Sequence, residues 1–158
     1  QYMDLDRQAL GGFEQVLKIH KLKTSNLFQV ATVGAEILTA KESLGLGGQA
    51  ARIGDSIGVL FQLLDDLCEL VREELPAHER MINPWFKYFD LSLAKSLELV
   101  ATLEESMGSE SSYRSVLKPY LQNNLLTLKG SNFTIAKEDF NWSEKLKPLM
   151  AKLNSFNA

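Results

Sequence analysis

Apolar residues recur at three- and four-residue spacing over most of the chain, and that period predicts helices. From Phe13 to about Ala40, the positions Phe13, Val16, Leu17, His20, Leu27, Val30, Ala31, Gly34, Ile37 and Leu38 mark one face of a long amphipathic helix. Residues 1–10 read as the end of an earlier helix, stopped by Gly11-Gly12. Gly45 to Gly48 marks a turn, and a second long helix is expected from about Gly48 to Glu74, ended by Pro76. The segment 76–84 reads as a polar loop closed by Asn83-Pro84. Trp85 to Met107 then resumes the helical period with Phe86, Phe89, Leu93, Leu97 and Val100 inward. A linker at 108–112 leads to two shorter helices, around 113–128 and 143–154, separated by a Gly-Ser-Asn turn at 130–132. No alternating run predicts a strand and no segment repeats, so the expected class is all-α.

The second long helix departs from a simple amphipathic pattern. Its run Phe61-Gln62-Leu63-Leu64-Asp65-Asp66-Leu67-Cys68-Glu69 sets three carboxylates into apolar sequence. With about 100° per residue, Gln62, Asp65, Asp66 and Glu69 share one face, and Gly58 and Asp55 continue that stripe toward the N-terminus. Leu60, Phe61, Leu63, Leu64, Leu67 and Val71 fill the rest of the circumference, which predicts a packed helix whose polar strip opens onto a cavity. An acidic pair more commonly marks a solvated face. Carboxylates in a dry interior, however, need cations to stay ionised. Oxygen ligands alone favour Mg²⁺, and the His and Cys ligands of Zn²⁺ are missing: His20 reads as a packed core or edge residue and His78 as a solvated loop residue. Lys23-Thr24 sits where the apolar stripe of the first long helix would continue, one turn from Ile19 and Leu27. Its stem is drawn toward the core side while the ammonium seeks water or an anion. As a lone lysine it reads as snorkelling at a bundle edge; beside the carboxylate face it suggests half of a receptor for a metal-bound diphosphate.

Composition narrows the classes. The 158 residues amount to one domain, with 45% hydrophobic content, enough for a core. Net charge is −3 and the 17 Lys and Arg form no block, so no nucleic-acid surface is expected. The single cysteine excludes an intrachain disulfide framework, no apolar run reaches the ~18 residues of a membrane span, and no signal-peptide layout is present; a cytoplasmic protein is expected.

Gln1-Tyr2-Met3-Asp4-Leu5, then Ile19-His20-Lys21-Leu22-Lys23-Thr24-Ser25-Asn26-Leu27-Phe28, Gly34-Ala35 and Phe61-Gln62-Leu63-Leu64-Asp65-Asp66 resemble, in order and spacing, the C-terminal half of trans-type polyprenyl diphosphate synthases. Phe-Gln-x-x-Asp-Asp-x-x-Asp is that family's second aspartate-rich motif, here with Glu69 in the last place. The likeness is close over residues 1 to about 70. It implies the all-helical isoprenoid synthase fold, with residues 1–75 as core helices and 76–158 as C-terminal helices of one synthetase domain. It also implies head-to-tail condensation of isopentenyl diphosphate with an allylic diphosphate, and a homodimer. By position, Asp65, Asp66 and Glu69 would hold Mg²⁺, and Lys23 would grip the allylic diphosphate. Thr24 and Gln62 would face the developing carbocation, and Phe61 would line the isoprenoid pocket.

Three departures qualify this. The family's first aspartate-rich motif and its arginine pair have no counterpart here. A chain starting at Gln1 without an initiator Met is therefore expected to be the C-terminal portion of a longer one, inactive without the missing half or a partner chain. The family's Gly-Lys loop pair is absent after the second motif, where Arg80, beside Glu79, is the candidate substitute for substrate binding. Glu69 lengthens the carboxylate's reach. The alternative is a non-catalytic, synthase-like subunit that binds or regulates an active partner; a terpene cyclase or a head-to-head condensing enzyme fits the Lys-Thr and Phe-Gln-x-x-Asp-Asp motifs less well.

Overall fold

The computed structural model describes residues 12–39, 47–71, 76–108, 111–131 and 140–157. The expected helix end at 1–10 with Gln1-Tyr2-Met3-Asp4-Leu5, the turn residues Gly45 and Leu46, and the stretch 72–75 lie outside them. Among the described residues there are helices and no strand, so the chain is all-α, as the isoprenoid synthase fold requires. It divides into two compact units, residues 1–62 and 63–158, with the boundary inside one helix.

In the first unit, Gly12 adopts φ 103°, a left-handed conformation that glycine tolerates, and α1 follows at Phe13–His20. A π-turn, Lys21–Ser25, joins it without a break to α2, Asn26–Thr39. The expected long helix is therefore present but carries a wider turn in its middle. That turn explains a misreading of its inner face. An extra residue shifts the helical phase by about 100°, so the stripe read from Phe13 to His20 does not continue past residue 25. Leu27, Val30, Ile37 and Leu38 are 71%, 71%, 63% and 87% exposed, whereas Thr32 is buried. His20 is buried, as expected.

Helix α3, Gly47–Leu70, crosses the boundary. In the second unit, its residues Leu63, Leu64 and Leu67 have no exposed surface. The stretch expected to be a polar loop holds a short helix, α4 at Ala77–Ile82, followed by α5 at Pro84–Lys87 and α6 at Phe89–Ser106. Asn83 is extended and its side chain accepts from the Trp85 N–H, capping α5, which opens with a proline. The buried line of α6 is Ser92, Ser96, Leu99, Val100 and Leu103: Val100 is inward as expected, whereas Ser92 and Ser96 take the packed face in place of the expected Leu93 and Leu97, which are half-buried. Helix α7, Ser112–Gly130, then α8, Trp142–Lys145, and α9, Lys147–Asn157, complete the unit. α9 packs against α6 and α7, with Leu149, Leu153 and Phe156 fully buried. The rings of Phe89, Phe140 and Trp142 close one end, with centroids 4.9, 5.1 and 4.6 Å apart.

Candidate functional site

Lys23 and Thr24 stand in the π-turn. There the Asn26 N–H donates to the Lys21 carbonyl, five residues back. A π-turn is rare and occurs mostly as a single wide turn inside an α-helix, and here contacts from outside brace it. Those contacts come from α3. A Cβ added at Gly58 would lie 2.4 Å from Ser25 Cα, and one at Gly54 would lie 2.7 Å from the Phe28 carbonyl oxygen. The two backbones thus meet at positions where only glycine fits. The Thr32 hydroxyl donates to the Ala50 carbonyl at 2.7 Å. Between them, the Asp55 carboxylate accepts from Ser25 Oγ and from Gln29 Nε2 at 3.1 Å, and pairs with Lys21 Nζ at 3.2 Å. Partial burial pushes the Asp55 carboxyl up. The Ser25 and Lys21 hydrogen bonds, the Lys21 charge and the Gln29 bond outweigh it and hold the group below its ordinary value of 3.8.

Two expectations change here. The polar stripe of α3 does not open onto a cavity along its whole length, because Asp55 and Gly58 are covered by the π-turn. Lys23 is exposed rather than drawn inward, while residues 21, 25 and 29 make contacts to α3. Thr24 is half-buried and Gln62 buried. Phe61 is half-buried against Phe28, ring centroids 5.7 Å apart.

In the second unit, Asp66 is 7% exposed while Asp65 and Glu69 reach solvent, so the carboxylates do not sit together in a dry interior. The turn that carries them is braced through its backbone. Asn83 Nδ2 donates to the Asp66 carbonyl at 2.7 Å and Trp85 Nε1 to the Leu63 carbonyl at 2.7 Å, and both donor side chains are buried. Arg80, on α4, is half-buried, and His78 is exposed beside Glu79. Behind the motif, Cys68 Sγ donates to Asn124 Oδ1 at 3.0 Å, and Asn124 Nδ2 to the Tyr120 carbonyl at 2.9 Å. Burial pushes the Tyr120 phenol up, the hydrogen bond with the Asn124 side chain opposes it, and the Asp65 charge adds to the rise. Tyr120 therefore stays protonated near Asp65.

Sequence reading missed Asn83, Trp85 and Tyr120 as neighbours of the motif. Asn-Pro before an aromatic residue was a capping signal available for the first two. Tyr120, more than fifty residues on, carried none.

Among the described residues, no three His, Cys, Asp or Glu side chains converge as a metal cage. The donors present are carboxylate oxygens, and Mg²⁺ is commonly held by one or two carboxylates together with water and substrate phosphates, so Asp65 and Asp66 fit that mode of binding.

The sequence description of the polyprenyl synthetase family matches residues 1–79, half of the chain, including Lys23-Thr24 and the carboxylate motif. The chain belongs to the polyprenyl synthetase family, whose function is of the prenyltransferase type. Neither curated proteins nor solved structures give a match.

Proposed function

We propose that this chain is the C-terminal part of a Mg²⁺-dependent, trans-type head-to-tail prenyltransferase. Support comes from the Lys-Thr pair and the Phe-Gln-x-x-Asp-Asp motif, both inside the family match. In the reaction, the allylic carbon–oxygen bond breaks and diphosphate leaves. The isopentenyl double bond then attacks the allylic cation, and loss of a proton restores a double bond. Mg²⁺, when bound, neutralises the diphosphate charge. Asp65 and Asp66 supply its carboxylate oxygens, with Glu69 as a longer-reaching third. Lys23 binds the allylic diphosphate as a point charge, and Arg80 stands in for the loop lysine. Thr24 and Gln62 orient their dipoles toward the cation, and Phe61 shields it from water. We further propose a homodimer, which the exposed Leu27, Val30, Ile37 and Leu38 support, and a cytoplasmic location, which the single cysteine supports.

The test is to incubate the full-length protein carrying this sequence with Mg²⁺, isopentenyl diphosphate and an allylic diphosphate. A longer prenyl diphosphate is expected, and its absence removes the reading. Lys23→Ala is expected to weaken allylic diphosphate binding by ~1.5–3 kcal/mol, about ten- to a hundredfold. Unchanged affinity returns Lys23 to a solvated surface residue. A second reading, a non-catalytic subunit, is favoured by the altered loop after the second motif, which lacks the Gly-Lys pair. It predicts no product alone and altered activity of a catalytic partner on mixing.

A further inference from the structure

Three donors at positions 21, 25 and 29, one from each successive turn across the π/α junction, converge on the carboxylate of Asp55. Ser25 Oγ also lies 3.1 Å from the Asp55 carbonyl oxygen, and Ser25 is fully buried. Asp55 shares the α3 stripe with the motif carboxylates, yet its lone pairs are spent on the neighbouring helix. Without such an anchor a π-turn relaxes to α geometry. Taking one residue out of the turn rotates everything before it by about 100° relative to α2. Lys23 and Thr24 lie inside that turn, so their direction depends on its survival.

We propose that Asp55 is a positioning residue which fixes the π-turn, and with it the direction of Lys23 and Thr24, through Lys21, Ser25 and Gln29. The ligand half of this inference rests on the reading that Lys23 meets a diphosphate. Asp55 itself touches neither diphosphate nor metal.

Binding of inorganic diphosphate with Mg²⁺ to the full chain, measured by calorimetry, tests it. Asp55→Asn is expected to weaken binding about tenfold, and the Asp55→Asn/Lys23→Ala pair to be no weaker than Lys23→Ala alone within about twofold, since both act through one group. Thr32→Val, which removes the bond to the Ala50 carbonyl but spares Asp55, is expected to leave affinity within about twofold. Wild-type affinity in Asp55→Asn, additive losses in the double variant, or the same loss in Thr32→Val overturns the proposal. Should Asp55→Asn not fold, Lys21→Met removes one exposed donor and is expected to give a smaller loss of the same kind; no loss overturns it. Hydrogen exchange supplies a readout that needs no ligand. Amides 22–26 are expected to exchange faster in Asp55→Asn while 64–70 are unchanged, and unchanged exchange at 22–26 overturns the clamp. If the wild type binds no diphosphate, the prenyltransferase reading and the ligand half fall together, and exchange alone decides the clamp.

Discussion

Asp55 makes stability depend on acid in a definable way. Its folded-state carboxyl is held below the ordinary value of 3.8, chiefly by Ser25 and Lys21 acting against partial burial. Because the folded value is the lower one, the contribution is fully present above the unfolded value and is lost as pH falls through the folded one. Urea unfolding followed from pH 6 to 3 is expected to show a decline below about pH 4 that is shallower in Asp55→Asn. Asn83 acts at the same scale but through neutral groups. Its amide caps α5 with one end and holds the Asp66 carbonyl with the other. Asn83→Ala is expected to cost about 1.5–3 kcal/mol of unfolding free energy, from a lost cap and a lost buried bond. It should also raise the Mg²⁺ concentration needed for diphosphate binding. A variant destabilised as much in α9, such as Leu153→Ala, should leave that concentration unchanged. Asp65, Asp66 and Lys23 were legible in the sequence as candidates from residue type alone. The residues that support them were not, because Asn83, Trp85 and Asp55 act through backbone carbonyls or a neighbouring helix, which no local pattern encodes.

Among elements, α3 is instructive because two glycines one turn apart decide its packing. Gly58→Ala would drive a methyl group into Ser25 backbone 2.4 Å away, which side-chain motion does not relieve. A loss of roughly 1–3 kcal/mol of unfolding free energy is expected, read as a lower denaturant midpoint. Gly34→Ala, in helical sequence with nothing within 4 Å of the added methyl, is expected to be neutral or to stabilise by up to ~1 kcal/mol. Sequence periodicity placed Gly34 on the inward face with Leu27, Val30 and Leu38. It failed there because it searches for apolar stripes, whereas the π-turn and α2 meet α3 through Ser25, Gln29 and Thr32 against Ala50, Gly54, Asp55 and Gly58. A small and polar interface looks like a solvated one in sequence. The π-turn compounds the error, since a phase shift of one residue has no signature in residue type. Helix α4 was missed for another reason: its Ala-His-Glu-Arg-Met-Ile carries one apolar pair, too short to set a period.

At the scale of the whole molecule, no described helix is long and apolar enough to cross a membrane. Apolar residues remain exposed along α2 all the same. If this face is the proposed homodimer contact, Val30→Glu with Leu38→Glu is expected to convert dimer to monomer in sedimentation, with helix content unchanged. A dimer that persists assigns the contact elsewhere. The class of the fold and the family were legible because helical period and the Phe-Gln-x-x-Asp-Asp run are both short-range properties. Where one compact unit gives way to the next, inside α3 after Gln62, was not, since the helical pattern runs through the boundary unaltered.

The bond from Asn83 to the Asp66 carbonyl also bears on how the protein ages. Asparagine loses its amide most readily when the backbone nitrogen of the following residue attacks the side-chain carbonyl, and the product carboxylate would face the Asp66 oxygen with no proton to offer. The following residue is Pro84, whose ring nitrogen has no hydrogen and cannot form that imide. The amide on which the carboxylate turn depends is thus shielded from slow hydrolysis by its own neighbour in the chain.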